Sequence, residues 1–156
     1  SMDIVTARPF THVGPGQSDR FALSSFSRQI AEMQLGRRKP VMRVGNLDST
    51  RDFTDVRDVV RAYDLLLKHG KSGEVYNICT GRETRMESLL NKMIISSGLK
   101  INVEKDQELF RSAEQQRICG NNEKLRNETG WLPEILLEQT LADMVDEWKN
   151  RLTTNN

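Results

Sequence analysis

The run Val44-Gly45-Asn46-Leu47-Asp48-Ser49-Thr50-Arg51-Asp52-Phe53-Thr54-Asp55-Val56-Arg57-Asp58 constrains this chain more than any other stretch. An apolar strand end meets a glycine, then a polar loop, a short extended piece and a helix that Thr54 or Asp55 can cap. Arg43, Asn46 and Arg51 stand around that turn, where backbone N–H groups are also open to a ligand. A guanidinium is planar, stays protonated and grips two oxygens at once, so the combination suits an anion carrying a flat base, such as a nucleoside diphosphate. Arg51 leads out of the turn and is the first candidate; the local alternative is an ion pair with Asp52 or Asp55. Arg111, in a polar loop after an expected strand, is the second, with a plain surface arginine as its alternative.

Strands and helices alternate on either side of this run, which predicts an α/β fold. Residues 3–10 are β-branched and apolar enough for a buried strand ended by Pro9, and Thr11-His12-Val13-Gly14-Pro15-Gly16-Gln17 reads as a loop. Helical spacing from Ala22 through Phe26, Ile30 and Met33 predicts a helix stopped by Gly36. Val41–Val44 follows as a short strand. Val56, Val59, Val60, Tyr63, Leu66 and Leu67 form one apolar stripe on the next helix, closed by Gly70. Residues 74–79 read as a buried strand. Thr84-Arg85-Met86-Glu87 has the pattern of a capping box, and residues 101–104 alternate as a half-buried edge strand does. Residues 121–129 predict a short helix closed by Gly130, and Leu137, Leu141, Met144, Val145 and Trp148 a final amphipathic one. The domain is drawn over residues 3–150, with Ser1-Met2 as a cloning remnant and 151–156 as a polar tail.

With 156 residues the chain suits one domain with a real core. Charged residues make up 29% of it, but the net charge is only +1, so bulk charge argues for neither nucleic acid nor a membrane surface as partner. No apolar run approaches the ~20 residues that span a bilayer. Cys79 and Cys119 lie far apart without metal-ligand spacing, the pattern of reduced thiols in a cytoplasmic protein. Neither has a base beside it, so neither is a credible nucleophile. No metal site is expected. Tyr63 and Tyr76 are followed four residues later by Leu67 and Thr80, and there is no G-x-G-x-x-G. Asp55 and Asp58 flank a helix start and read as capping groups. His12 is a local hydrogen-bonder or a donor to phosphate, and Arg28 on its own a solvent residue.

Several segments together resemble the extended short-chain dehydrogenase/reductase family in its nucleotide-sugar branch. Arg8-Pro9-Phe10-Thr11-His12-Val13-Gly14-Pro15-Gly16-Gln17 is similar to the loop after that family's sixth sheet strand, and Val44 to Asp58 matches closely. Gly73-Glu74-Val75-Tyr76-Asn77-Ile78 with Gly81 resembles its last Rossmann strand, and Gly130-Trp131 with Pro133, Leu141 and Trp148 its closing signature. The resemblance covers nearly the whole chain but only the later half of the family's length. It implies the C-terminal substrate-binding part of a Rossmann-type enzyme, carrying a few outer sheet strands. NAD(P) would be bound by the complete parent and not tightly by these residues alone. Pro9, Phe10 and His12 would lie near the cofactor's nicotinamide end. Thr11, Arg28, Arg43, Asn46, Arg51 and Arg111 would line a nucleotide-sugar site, with a GDP sugar favoured by Gly45-Asn46-Leu47-Asp48. The implied chemistry is reduction of a GDP-4-keto-6-deoxy sugar, with dehydration or 4-epimerisation as the enzyme alternatives and a non-catalytic nucleotide-binding or assembly module as the alternative of another class. Thr11 and Ser112 depart from the family's usual asparagine and proline. A homo-oligomer is expected, with strand exchange as a route to it for a chain lacking its first half.

Overall fold

The computed structural model describes residues 2–110 and 115–154. Its order is β1 (Thr6–Pro9), β2 (Thr11–Val13), α1 (Ala22–Gln34), β3 (Val41–Val44), β4 (Thr50–Arg51), β5 (Phe53–Asp55), α2 (Val56–His69), β6 (Val75–Ile78), β7 (Thr84–Arg85), α3 (Met86–Ser97), β8 (Asn102–Lys105), α4 (Glu123–Thr129) and α5 (Leu137–Thr154), with one 3-10 turn at Gln107–Leu109. Strands pair two by two. β1–β6, β2–β5 and β3–β8 are parallel, and β4–β7 is antiparallel. Parallel pairs need a crossover, and the helices supply it. The architecture is mixed α/β, as the alternation predicts.

Two apolar clusters fill the interior. The larger packs α1, α3 and α5 around β3 through Phe26, Ile30, Met42, Val44, Leu89, Leu90, Leu141 and Met144. The smaller joins α2, α4 and β6 through Val59, Ala62, Leu66, Tyr76, Ile78, Leu125 and Trp131. Each large side chain so buried contributes about 1.5–3 kcal/mol relative to an exposed one. Trp131 is fully buried, and its indole Nε1–H donates to the Asp58 carbonyl at 2.9 Å, so the ring's one polar group is satisfied inside the core.

Several elements depart from their expected form. Thr11–Val13 is a strand and not loop, because β5 offers it a parallel partner in the register Thr11–Phe53, His12–Thr54 and Val13–Asp55. The capping box at Thr84 does not form: Thr84 pairs with Arg51 in the β4–β7 ladder, and α3 starts after Arg85 with no side-chain cap. All four residues of β8 are exposed, where alternation predicts half of them buried. α5 continues to Thr154, so the first four residues of the expected tail form its last turn. The stripe on α2 is split, for Val59 and Leu66 are buried while Val60, Tyr63 and Leu67 stay 58%, 39% and 88% exposed.

Candidate functional site

The central run is held from behind and from both sides. β3 delivers the chain to Gly45, where a Cβ would lie 2.7 Å from the Leu109 carbonyl oxygen; the backbone of the 107–109 turn leaves room for no side chain. Asn46 Oδ1 then accepts from the Asp48 N–H at 2.9 Å, an Asx turn that bends the loop. The carbonyls of Leu47 and Ser49 accept from the N–H groups of Glu87 and Met86, both at 3.1 Å, so the first turn of α3 spends its orphan donors on this loop. β4 has β7 on one side. On the other, Thr50 N donates to the Gln116 carbonyl at 2.8 Å and Ile118 N to the Thr50 carbonyl at 3.1 Å.

Beyond Arg51 come three aspartates at intervals of three, all buried. Asp52 is 0% exposed. Its Oδ1 accepts from Thr80 N at 2.8 Å and from the Thr80 hydroxyl at 2.6 Å. Its Oδ2 accepts from Gly81 N at 2.9 Å and Gly120 N at 3.3 Å, and the Cys119 thiol points at it from 3.8 Å. Asp55 caps α2 through Arg57 N at 2.8 Å, receives the Arg57 guanidinium at 2.9 and 2.7 Å, and accepts from the Thr140 hydroxyl of α5 at 2.7 Å. Burial works to raise the Asp55 carboxyl, but the hydrogen bonds from Arg57 and Thr140 outweigh it and hold it below the ordinary carboxylate range. Asp58 accepts from the N–H groups of Glu134 and Ile135, both at 3.0 Å, and from Arg61. Asp55 does cap the helix, as the sequence suggests. What local reasoning misses is that each aspartate also clasps a returning segment.

The β2–β5 pairing brings two groups of candidates together. Pro9 ends β1, Phe10 N donates to the Ile78 carbonyl at 2.9 Å, and His12 Nδ1 lies 3.2 Å from the Phe10 carbonyl on an exposed ring. Thr11 sits opposite Phe53, two residues past Arg51. Arg51 itself bends one guanidinium nitrogen back to the Thr50 carbonyl at 2.8 Å. Arg43 is held at both ends, its backbone by the Gln29 amide, which bonds its N–H (3.0 Å) and its carbonyl (3.1 Å), and its guanidinium by Asp106 at 2.5 Å. Arg28 goes elsewhere. It pairs with Asp19 and with Glu32 at 2.8 Å, and its guanidinium lies 5.6 Å from the Trp148 ring centroid, at the α1–α5 contact. Its acid partners, Asp19 first and Glu32 next, raise its pKa. Arg111 lies outside the described residues. Ser49 Oγ, Thr50 Oγ1 and Thr54 Oγ1 are buried without a hydrogen-bond partner.

Both thiols are held toward their protonated form. Burial, reinforced by the Asp52 charge, pushes the Cys79 thiol up to about 12, and desolvation with the same carboxylate raises Cys119. Among the described residues no cluster of three or more His, Cys, Asp and Glu could hold a metal, and no helix is long and apolar enough to cross a membrane. A groove of about 260 Å³ lies between α1, α3 and α5, and another of about 600 Å³ between the lead into β1 and α2. Among the described residues, none of the candidates lines either one.

The family model described as GDP-mannose 4,6 dehydratase matches residues 1–144. The GDP-6-deoxy-D-mannose reductase of Pseudomonas aeruginosa (strain PAO1) is 40% identical over 149 residues, covering 96% of this chain and 49% of that protein. The solved structure of RMD from Pseudomonas aeruginosa complexed with NADPH is 41% identical, with a TM-score of 0.88 over 94% of this chain and 48% of that one. The dTDP-glucose 4,6-dehydratase of Bacillus anthracis in complex with NAD is 25% identical, with a TM-score of 0.79 over 96% of this chain and 45% of that one. The chain thus spans about half the length of the relatives it matches, and its fold is that of part of a Rossmann-type extended short-chain dehydrogenase/reductase. It belongs to the GDP-mannose 4,6-dehydratase family within those enzymes.

Proposed function

We propose that this chain is the nucleotide-sugar-binding half of an NAD(P)-dependent oxidoreductase that reduces a GDP-4-keto-6-deoxy sugar at C4. The observation that carries the reading is the β2–β5 ladder, which pairs Thr11–Val13 with Phe53–Asp55 and so brings the chain that leaves Pro9 and Phe10 close to the chain that leaves Arg51. A hydride acceptor must meet its cofactor where its diphosphate is also held, and this pairing sets the two residue groups side by side. Thr11, Arg43, Asn46, Arg51 and Arg111 are assigned to the nucleotide sugar, with Arg51 on the diphosphate. Arg28, from the same expected set, would reach the substrate only by leaving Asp19 and Glu32. Pro9, Phe10 and His12 are assigned to the nicotinamide end. NAD(P), when bound by the parent, supplies the hydride; no glycine-rich dinucleotide loop and no Tyr-x-x-x-Lys pair occurs in these 156 residues. The similarity to GDP-6-deoxy-D-mannose reductase at 40% identity supports reduction over dehydration, whose representatives include the human GDP-mannose 4,6 dehydratase at 26%.

The compartment that fits two free cysteines is the cytoplasm. Calorimetry on the chain separates the readings. It should bind GDP more tightly than UDP, and Arg51→Ala should weaken GDP by about 1.5–3 kcal/mol, one charge-assisted contact. Equal affinity for the two bases overturns the GDP assignment, and an unaffected Arg51→Ala overturns the diphosphate site. NADPH oxidation with GDP-4-keto-6-deoxy-mannose by the isolated chain would overturn the division of labour.

A further inference from the structure

We propose that Asp52 is a positioning residue of the nucleotide site: by clasping two returning loops it fixes the direction in which Arg51 presents its guanidinium. The inference rests on the nucleotide reading given above and names the device that makes it work.

Arg51 stands between two clamped neighbours. Before it, Thr50 is bonded on both edges, to Gln116 and Ile118 on one side and through the Arg85 register on the other. After it, Asp52 is wholly buried and takes five donors from two segments, Thr80–Gly81 and Cys119–Gly120. One of these segments follows β6, and the other follows the 116–118 stretch that bonds Thr50 of β4; both meet at Oδ2 of Asp52. A buried carboxylate with this many partners is anchored as firmly as side chains come. The backbone of Arg51 is therefore held at both ends, and its guanidinium is bonded to the Thr50 carbonyl beside it.

The alternative is that Asp52 only glues the fold. Asp58 supplies the comparison, being 1% exposed and likewise holding two backbone N–H groups, but from the lead into α5, with one further donor, Arg61, from its own helix. A gluing role predicts that the two residues behave alike; a positioning role predicts that nucleotide affinity depends on one of them.

The donors divide by oxygen. Both Thr80 donors meet Oδ1, while Gly81, Gly120 and Cys119 meet Oδ2. Asparagine has one acceptor oxygen, so Asp52→Asn must release one side whichever way its amide turns. Thr80→Val removes the hydroxyl donor to Asp52, and with it the acceptor of the exposed Arg82 N–H, and keeps the Thr80 N–H.

The test is a calorimetric titration of the chain with GDP, paired with thermal melts, for the wild type, Asp52→Asn, Thr80→Val and Asp58→Asn. Asp52→Asn should weaken GDP by about tenfold or more, as small misplacements of a binding group do. Asp58→Asn should lower the melting temperature while GDP affinity stays within about twofold, the expectation for independent sites. Thr80→Val should lose affinity with little change in melting, and it decides the matter should Asp52→Asn fail to fold. Unchanged GDP binding in Asp52→Asn, or in Thr80→Val where the first is unfolded, overturns the proposal, as does an equal loss in Asp58→Asn. A wild type that binds neither GDP nor UDP overturns the nucleotide reading and this inference together.

Discussion

Replacing Asp58 probes the clasp on α5 in isolation. Oδ2 of Asp58 accepts the N–H groups of Glu134 and Ile135 at 3.0 Å each, and Oδ1 accepts from Arg61. Asp58→Ala leaves two backbone donors without a partner, each costing about 1–1.5 kcal/mol at a part-buried position, and removes a charge-assisted bond worth about 1 kcal/mol more. Arg61 keeps Glu134 at 2.6 Å and the Leu132 carbonyl at 2.7 Å, so its own loss is small. The sum is about 3–4 kcal/mol. Unfolding entropy near 2.1 cal/mol/K per residue gives ~0.33 kcal/mol/K for a chain of 156, so the melting temperature should fall by about 9–12 °C. Asp58→Asn can turn its oxygen to the two N–H groups and forfeits only the bond to Arg61, which costs about 1 kcal/mol, or about 3 °C. Differential scanning calorimetry on both variants reads the difference. If asparagine is as damaging as alanine, or if alanine costs less than about 1 kcal/mol, the claim that the two amides depend on this carboxylate is wrong.

Asp55 predicts an acid limit. Its folded-state carboxyl lies below the ordinary value of 3.8, so its stabilisation is full above that value and is lost as the pH falls through the depressed one. Urea midpoints measured from pH 6 downward should decline below about pH 4, and Asp55→Asn should flatten that decline; an unchanged slope refutes the assignment. Gly120→Ala would put a Cβ 2.5 Å from Cys79 Sγ and 2.8 Å from the Phe10 ring, an overpacking expected to cost about 1–3 kcal/mol that Cys79→Ala partly relieves. A fully stable Gly120→Ala contradicts the close approach. The exposed strip of Val60, Tyr63 and Leu67 on α2 predicts self-association of the chain, as a dimer or by strand exchange, seen in sedimentation velocity and abolished by Leu67→Lys without loss of melting temperature. A monodisperse wild-type monomer refutes it.

Periodicity makes α1, α2, α5 and β3 legible because each buries a face whose spacing is written along the chain. It also predicts a boundary at Gly36, where φ is +69°, a conformation glycine alone adopts freely. Features made by pairing are hidden from it. β2 is three residues in a glycine- and proline-rich stretch and exists because β5 lies beside it. Thr84 carries the chemistry of a cap but is taken into a ladder with Arg51. The stripe on α2 is equally apolar on its buried and exposed sides, so spacing cannot show that Leu66 goes in and Leu67 out. Within the site, Arg51 is legible from charge and place, whereas Asp52, Thr80 and Gly120 meet from positions up to 68 residues apart. Arg28 looks the same in the sequence whether it meets a phosphate or, as the structure has it, Asp19, Glu32 and Trp148. The spacing of Asp52, Asp55 and Asp58 was visible, but capping accounted for two of them locally and concealed their distant partners.

Seven consecutive residues, 52 to 58, thus tie down segments that return from positions 80, 120, 134 and 140. One residue added within β5 would send the residues beyond it to the opposite face of the strand, and one added between Val56 and Asp58 would turn Asp58 by about a quarter of a helical revolution, so either unhitches a distant segment. Length variation among functional homologues should therefore fall in joints such as residues 36–40, and this heptapeptide should be inherited without gaps.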